Sequence, residues 1–198
     1  MTMLDAKLSR PLEGGASYSL RHRLLRVLWG VTWALLAAWT PPPLRRWRAF
    51  LLRRFGAKIA TTASIYGSAR IWYPPNLTVG AFATIGPGAT VYCADKIILE
   101  DHAIVSQGAQ LCGAGHDIED PAFQTVAKPI VIGRRAWVAA EAFVGPGVTI
   151  GEGAVLGARG CAFRNLEAWT VYGGNPARAL KLRKIRFPAN EETVFSRS

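Results

Sequence analysis

The sequence predicts a mainly β fold: a parallel solenoid of triangular section, with helical segments before it and a short helix after it. Two observations predict the solenoid. An aliphatic residue recurs every six positions through the middle of the chain, and upstream these positions fall into triplets that start twenty residues apart. A third observation sets off the flanks. The formal charge of +11 is concentrated at the two ends, with eleven Lys and Arg against two acids in residues 1–58, seven against nine in 59–177, and six against two in 178–198. A spread basic surface would suit nucleic acid; basic ends around a slightly acidic centre do not, and no nucleic-acid partner is expected.

At 198 residues, half of them hydrophobic, the chain can form one domain with extensions and bury a sizeable core. Its boundaries follow the patterning: a basic, Trp-rich helical segment at 1–57, the repeat region at 58–172, and a turn, helix and tail at 173–198. Cys93, Cys112 and Cys161 have no metal-type spacing and leave an odd thiol if two pair, which suits a reducing, cytoplasmic setting.

The N-terminal segment comes first. Val27 to Trp39 is free of charge but spans thirteen residues, short of the roughly 20 needed to cross a bilayer. Pro41-Pro42-Pro43 follows it in place of a small-residue cleavage site, so a signal peptide is not expected. Arg21, Arg23 and Arg26 precede the run; Arg45, Arg46 and Arg48 follow it. Leu44, Trp47, Leu51 and Phe55 then fall on one helical face among arginines. Basic, Trp-rich amphipathic segments lie in the interface of anionic membranes. The segment is therefore expected to cap the first coil and to hold the protein peripherally at the inner face of the cytoplasmic membrane. His22, between two arginines, is read as a surface residue.

The repeat runs through Ile59, Ile65 and Ile71, then Val79, Ile85 and Val91, then Leu99, Val105 and Leu111. It resumes at Ile132, Val138, Val144, Ile150 and Leu156, usually with a small residue next in line. Neither the helix period of 3.6 nor the strand period of 2 yields a strict six. Three flat sides per coil do, with the aliphatic residue pointing inward and the small residue expected at the corner. Five coils are counted, stacked by parallel pairing. Between Leu111 and Ile132 the beat fails, so residues 113–129 form an excursion with His116 at its root. Loops held by a rigid scaffold are where chemistry is commonly housed. Beyond the coils, "GGNPAR" is a turn and "ARALKLRKIR" reads as a short basic helix covering the open end.

"VIGRRAWVAAEAFVGPGVTIGEGAVLGARG", "SQGAQLCGAGHDIEDPAF", "KPIVIG" and "VYGGNPARALK" resemble the hexapeptide-repeat acyltransferases, within them the colanic-acid-type exopolysaccharide O-acetyltransferases, over roughly residues 17–186. The resemblance implies a left-handed β-helix, a homotrimer with sites at subunit boundaries, and acetyl-CoA as donor. It implies His116 as general base, its neutral imidazole taking the proton of a sugar hydroxyl; a free imidazole, titrating near pH 6.5, is mostly neutral at pH 7. Asp117 is the candidate to orient the ring. For acetyl-CoA the resemblance points to Ala140 and Ala158 along the pantetheine arm, Phe163 and Arg164 past the last coil, and Arg178 and Lys181 near the nucleotide. Phe163 stands where threonine is usual and Arg164 where lysine is. Gly88 stands near the asparagine that holds sugar in galactoside- and maltose-type relatives. Tyr92, Asp95 and Gln107 are the candidates for acceptor contact, and Trp137 for the wall of the acetyl end.

Metal chemistry is disfavoured. A zinc site wants three strong ligands, and the repeat region offers only His102 and His116 as histidines. Cys112 lies four residues before His116 but reads as a small corner residue rather than a nucleophile, so direct transfer is expected. By the same resemblance the acceptor is expected to be a sugar hydroxyl of a free or lipid-linked glycan; an amino sugar, a small antibiotic-like molecule, or a non-catalytic scaffold are the alternatives.

Overall fold

The computed structural model describes residues 3–185. Its centre is a parallel β solenoid with three faces. The inward residues stack in register from coil to coil: Ile59 pairs with Val79, Val79 with Leu99, Leu99 with Ile132 and Ile132 with Ile150. The excursion between Leu111 and Ile132 therefore leaves the core undisturbed. Ile65, Ile85, Val105, Val138 and Leu156, one per coil on the second face, are all fully buried. Burying such a side chain contributes about 1.5–3 kcal/mol, which is why the six-residue beat dominates the sequence. Five full coils are followed by a partial sixth, in which Leu166 bridges to Ile150 and Thr170–Gly173 pairs with Val155 and Leu156.

The corners differ from expectation. At most corners the chain turns three residues beyond the inward aliphatic residue, where Phe82, His102, Arg135, Glu141 and Arg159 hold φ between 56 and 60°. Gly88, Gly108, Gly147 and Gly153 occupy the same place in other sides. The small residue directly after the aliphatic one serves coil stacking instead. A Cβ on Gly133 would lie 2.7 Å from the Ile150 carbonyl oxygen, and one on Gly151 would lie 2.6 Å from the Ala168 nitrogen.

The C-terminal helix expected in "ARALKLRKIR" is not formed. Arg178–Leu182 is a strand, antiparallel to Thr170–Gly173. The last coil presents unpaired backbone groups, and a returning strand satisfies them directly. Arg183 fastens it, donating from one terminal nitrogen to the carbonyls of Arg135 and Gly153, both at 2.9 Å. Residues 186–198, the rest of the expected tail, lie outside the described residues.

At the other end, helix α1 (Ala6–Ser9) precedes α2 (Leu20–Leu36) and α3 (Arg45–Arg54). Trp29 and Trp33 pin α2 to the first coil, their indoles donating to the carbonyls of Ile71 (2.7 Å) and Gly67 (3.0 Å). Leu51 and Leu52 of α3 belong to the same core cluster as the coils. Arg48 is also buried, at 1% exposure. Its guanidinium donates to Ile65, Thr40, Pro41 and Pro42 carbonyls and to the Thr40 hydroxyl, at 2.5–3.2 Å. The sequence alone sets it with Arg45 and Arg46 as a charge flanking the apolar run, and both of those are exposed. His22 is a correction: it is 5% exposed and stacked between Tyr18 (4.8 Å) and Tyr73 (4.1 Å). Burial, reinforced by the Arg26 charge, pushes its pKa down to about 4.

Candidate active site

The excursion is a β hairpin. Ala114–His116 pairs antiparallel with Thr125–Ala127, with His116 opposite Thr125. Its base is closed by Lys128 donating from its backbone to the Gly113 carbonyl (3.0 Å). Gly113 sits where a Cβ would come within 2.9 Å of the Tyr92 carbonyl oxygen, so the chain leaves the coil hard against its neighbour. The hairpin is also held from outside. Gln124 accepts from the Ala6 backbone (2.7 Å) and donates to the Leu4 carbonyl (3.3 Å), tying it to the N-terminal arm. Nothing in the sequence signalled that brace, because residues 118 and 120 positions apart carry no local pattern.

His116 is exposed, and its ring stacks on Phe123 at 4.4 Å and 12°. Its Nδ1 lies 3.0 Å from the Phe123 carbonyl oxygen. A carbonyl only accepts, so that bond requires the proton on Nδ1 and leaves the Nε2 lone pair free. The partner at Nδ1 is thus a backbone carbonyl, where Asp117 was the expected candidate. The Asp117 carboxylate accepts instead from the Glu119 amide (3.1 Å), shaping the hairpin turn.

The other predicted residues divide between two corners of the solenoid. Tyr92 and Asp95 lie with His116 at the corner leaving the third face. Tyr92 is in register with Cys112, while the Asp95 carboxylate accepts from the adjacent Lys96 amide. Gln107, Ala140 and Ala158 occupy turns between the second and third faces, one coil above another. Trp137 is on the second face, its indole donating to Ser106 Oγ (2.8 Å). One side of the prism therefore separates His116 from Trp137, Ala140 and Ala158 within a single chain. Phe163, Arg164 and Arg178 do come together, lining a cleft of about 400 Å³ at the C-terminal end. Lys181 is paired beside Val171 on the returning strand and does not line that cleft.

The three cysteines are free thiols. Cys93 is fully buried, which pushes its pKa up to about 12, and Cys112 donates to the Ala114 carbonyl (3.2 Å) rather than facing the histidine. His102 stacks on Phe82 at a corner. Among the described residues no group of three or more His, Cys, Asp or Glu side chains could hold a metal ion.

The chain is similar to known acetyltransferases. It is 45% identical over 156 residues to the "Putative colanic acid biosynthesis acetyltransferase WcaF" of Escherichia coli K12, covering 79% of this chain and 86% of that one. It is 34% identical over 118 residues to a chloramphenicol acetyltransferase of Klebsiella aerogenes, covering 54% and 51%. Among solved structures, a hexapeptide-repeat-containing acetyltransferase of Vibrio cholerae complexed with acetyl coenzyme A superposes with a TM-score of 0.74 at 23% identity, covering 92% of this chain and 100% of that one. A galactoside acetyltransferase in complex with coenzyme A superposes with a TM-score of 0.75 at 19% identity, covering 93% and 92%. No family model matches the chain.

Proposed function

Because this chain belongs to the hexapeptide-repeat acetyltransferases, in the group that includes WcaF, we propose that it O-acetylates a sugar hydroxyl during assembly of an exopolysaccharide or another lipid-linked glycan. The protein is an acetyltransferase built on a left-handed β-helix, and acetyl-CoA is its donor. The glycan acceptor, the base and the route of transfer are the proposal.

One observation carries the mechanism: the hydrogen bond that fixes the proton on His116 Nδ1. Nε2 takes the proton of the acceptor hydroxyl as its oxygen attacks the thioester carbonyl. The tetrahedral intermediate collapses with loss of the CoA thiolate, which recovers the proton from the imidazolium. The products are the acetyl ester and CoA. No acyl-enzyme is formed on Cys112, whose thiol faces a carbonyl rather than a base.

Acetyl-CoA fits the residues along the two remaining stations. Ala140 and Ala158 keep the corner low enough for the pantetheine arm to approach backbone. Phe163, Arg164 and Arg178 frame a cleft in which the two guanidiniums suit phosphates. Since Ala140 and Ala158 follow the second face whereas His116, like Phe163 and Arg164, follows the third, a complete site needs two copies, as a homotrimer supplies. Asp117 serves the hairpin, Lys181 the returning strand, and Tyr92, Asp95, Gln107 and Trp137 remain assigned to the acceptor and the acetyl wall. The basic N-terminal helices bring the enzyme to the inner face of the cytoplasmic membrane.

The deciding experiment offers labelled acetyl-CoA with a panel of lipid-linked oligosaccharides, chloramphenicol and free amino sugars. Base-labile label on the oligosaccharides is the expected result. Label only on the small molecules, or only free acetate, overturns the glycan reading.

A further inference from the structure

Two connected hollows lie between the N-terminal helices and the third face, below the hairpin. The larger, of about 600 Å³, runs between α2 and the first two coils, floored by Trp29, Trp33, Ile71 and Trp72. The smaller, of about 380 Å³, is lined by Ser17, Tyr18, Arg23 and Arg26. They share Arg26, Trp72 and Tyr92, so they meet at one place. Volumes of this size are those of small-molecule sites, roughly 300–1,000 Å³.

We propose that this groove binds the phosphate and the hydrocarbon chain of an amphipathic acceptor, so that its sugar is presented at His116. The inference deepens the glycan reading above and rests on it.

The charge at the junction is the first support. The Arg26 guanidinium lies 4.4 Å from the Trp72 ring centroid and 5.7 Å from that of Tyr18. Its Nε is buried without a hydrogen-bond partner. The ion pairs among the described residues are Arg10–Glu13 and Arg159–Glu141, so neither Arg23 nor Arg26 has a carboxylate. A guanidinium framed by aromatic rings, with donors to spare and no acid beside it, suits a phosphate oxygen.

Gly30 is the second support. It lines the larger hollow in the middle of α2, where a Cβ would meet nothing within 4 Å. Glycine weakens a helix interior relative to alanine, and no packing neighbour requires it here. Its effect, with Ala34 and Ala38 at helical spacing, is to leave the wall of the groove open.

Position supplies the third. Tyr92 on the groove rim pairs in register with Cys112, and its carbonyl accepts from Gly113 at the hairpin root (2.9 Å). The other wall is α2, whose outer side exposes Leu24, Leu28, Val31 and Leu35. A ligand in the groove is thus anionic and wanted near the hairpin at one end, and apolar beside an exposed apolar helix at the other. Such a ligand is a lipid phosphate.

Calorimetric titration of the full chain with farnesyl diphosphate as probe tests this, with inorganic pyrophosphate and farnesol as half-probes. The whole probe is expected to bind about tenfold or more tighter than either half. Gly30→Leu, which fills the groove from open space, and Arg26→Gln should each weaken it by about tenfold or more while acetyl-CoA binds as before. Absence of probe binding, binding that neither variant changes, or farnesol binding as tightly as the diphosphate would overturn the proposal. The two readings fail separately. Acetyl transfer to a lipid-free glycoside without probe binding sinks the groove alone, whereas probe binding as described with no glycan ever acetylated sinks the glycan reading.

Discussion

The Nδ1 of His116 hydrogen-bonds the main-chain carbonyl of Phe123 at 3.0 Å, across a hairpin turn and under a stacked ring. A main-chain carbonyl only accepts, so in the neutral ring it fixes the proton on Nδ1 and leaves Nε2 as the acceptor. His116→Ala is therefore expected to lower turnover by roughly 10²–10⁴-fold with acetyl-CoA affinity little changed. Asp117→Asn, which keeps an acceptor for the Glu119 amide, should cost less than about tenfold, well under the loss of a base. Equal losses in steady-state kinetics of the two variants would return the orienting role to Asp117. EDTA should leave the rate unchanged.

The proposed sharing of the site between His116 and the Ala158 corner of a second copy predicts complementation. His116→Ala removes the proposed base, and Ala158→Trp obstructs the proposed pantetheine corner, each in its own chain. Mixed and refolded, the two inactive chains should regain up to about one quarter of wild-type sites, because random trimers place an intact base beside an intact wall that often. Light scattering should report a trimer throughout. An active monomer, or a mixture no better than its parts, would contradict a shared site.

Arg48 predicts a stability effect far from the chemistry. It satisfies four carbonyls and a hydroxyl beneath the first coil. Arg48→Leu strands those acceptors in the interior and should destabilise the fold by about 3 kcal/mol or more in urea unfolding. A loss below about 1 kcal/mol, the range of an exposed substitution, would mean that water replaces the guanidinium.

The solenoid was legible because burial imposes a period on the sequence: Ile65, Ile85 and Val105 must all face inward, and nothing local competes. His116 was legible because the period breaks around it. What was not legible depends on contacts between distant segments. Arg48 and His22 look like surface residues until Ile65, Tyr73 and Trp72 are folded against them. Arg178–Leu182 has a helical composition but lies against an open sheet edge, whose backbone groups outweigh a propensity that is weak in a short segment. The corner residues were placed two positions early, because glycine after the aliphatic residue signals close coils as readily as a turn.

His22 predicts how stability responds to acid. Its pKa is about 4 in the folded state, against about 6.5 for free imidazole, because burial and then the Arg26 charge disfavour its cation. Between those values the unfolded chain binds the proton and the folded chain does not. Stability is intact above about pH 6.5 and is lost progressively as the pH falls toward 4. His22→Phe, which keeps the stack on Tyr18 and Tyr73, should flatten the melting temperature over that window relative to wild type. Parallel curves for the two proteins would show that His22 is protonated or solvated in the fold.

Membrane contact is the last expectation, and the helices make it testable by substitution. No helix among the described residues is long and apolar enough to cross a membrane. Leu20, Leu24, Val27, Val31 and Leu35 nonetheless form an exposed stripe along α2, and Trp39, Trp47 and Phe50 extend the exposed apolar surface onto the next turn and α3. Arg21, Arg23, Arg45, Arg46, Arg53 and Arg54 are exposed around it. Each Lys or Arg near an anionic surface contributes about 1 kcal/mol, so several of them, with the exposed apolar stripe inserted among the headgroups, can hold the protein reversibly. Deleting residues 1–55 would be a poor test, since Trp29, Trp33 and Leu52 belong to the solenoid core. Leu24→Glu together with Leu35→Glu changes only exposed positions. Wild type should co-sediment with vesicles containing phosphatidylglycerol, less so at high salt, and not with neutral vesicles; the double variant should remain in the supernatant with its melting temperature and acetyl-CoA binding retained. Sedimentation of the variant like wild type would show that the stripe does not face lipid.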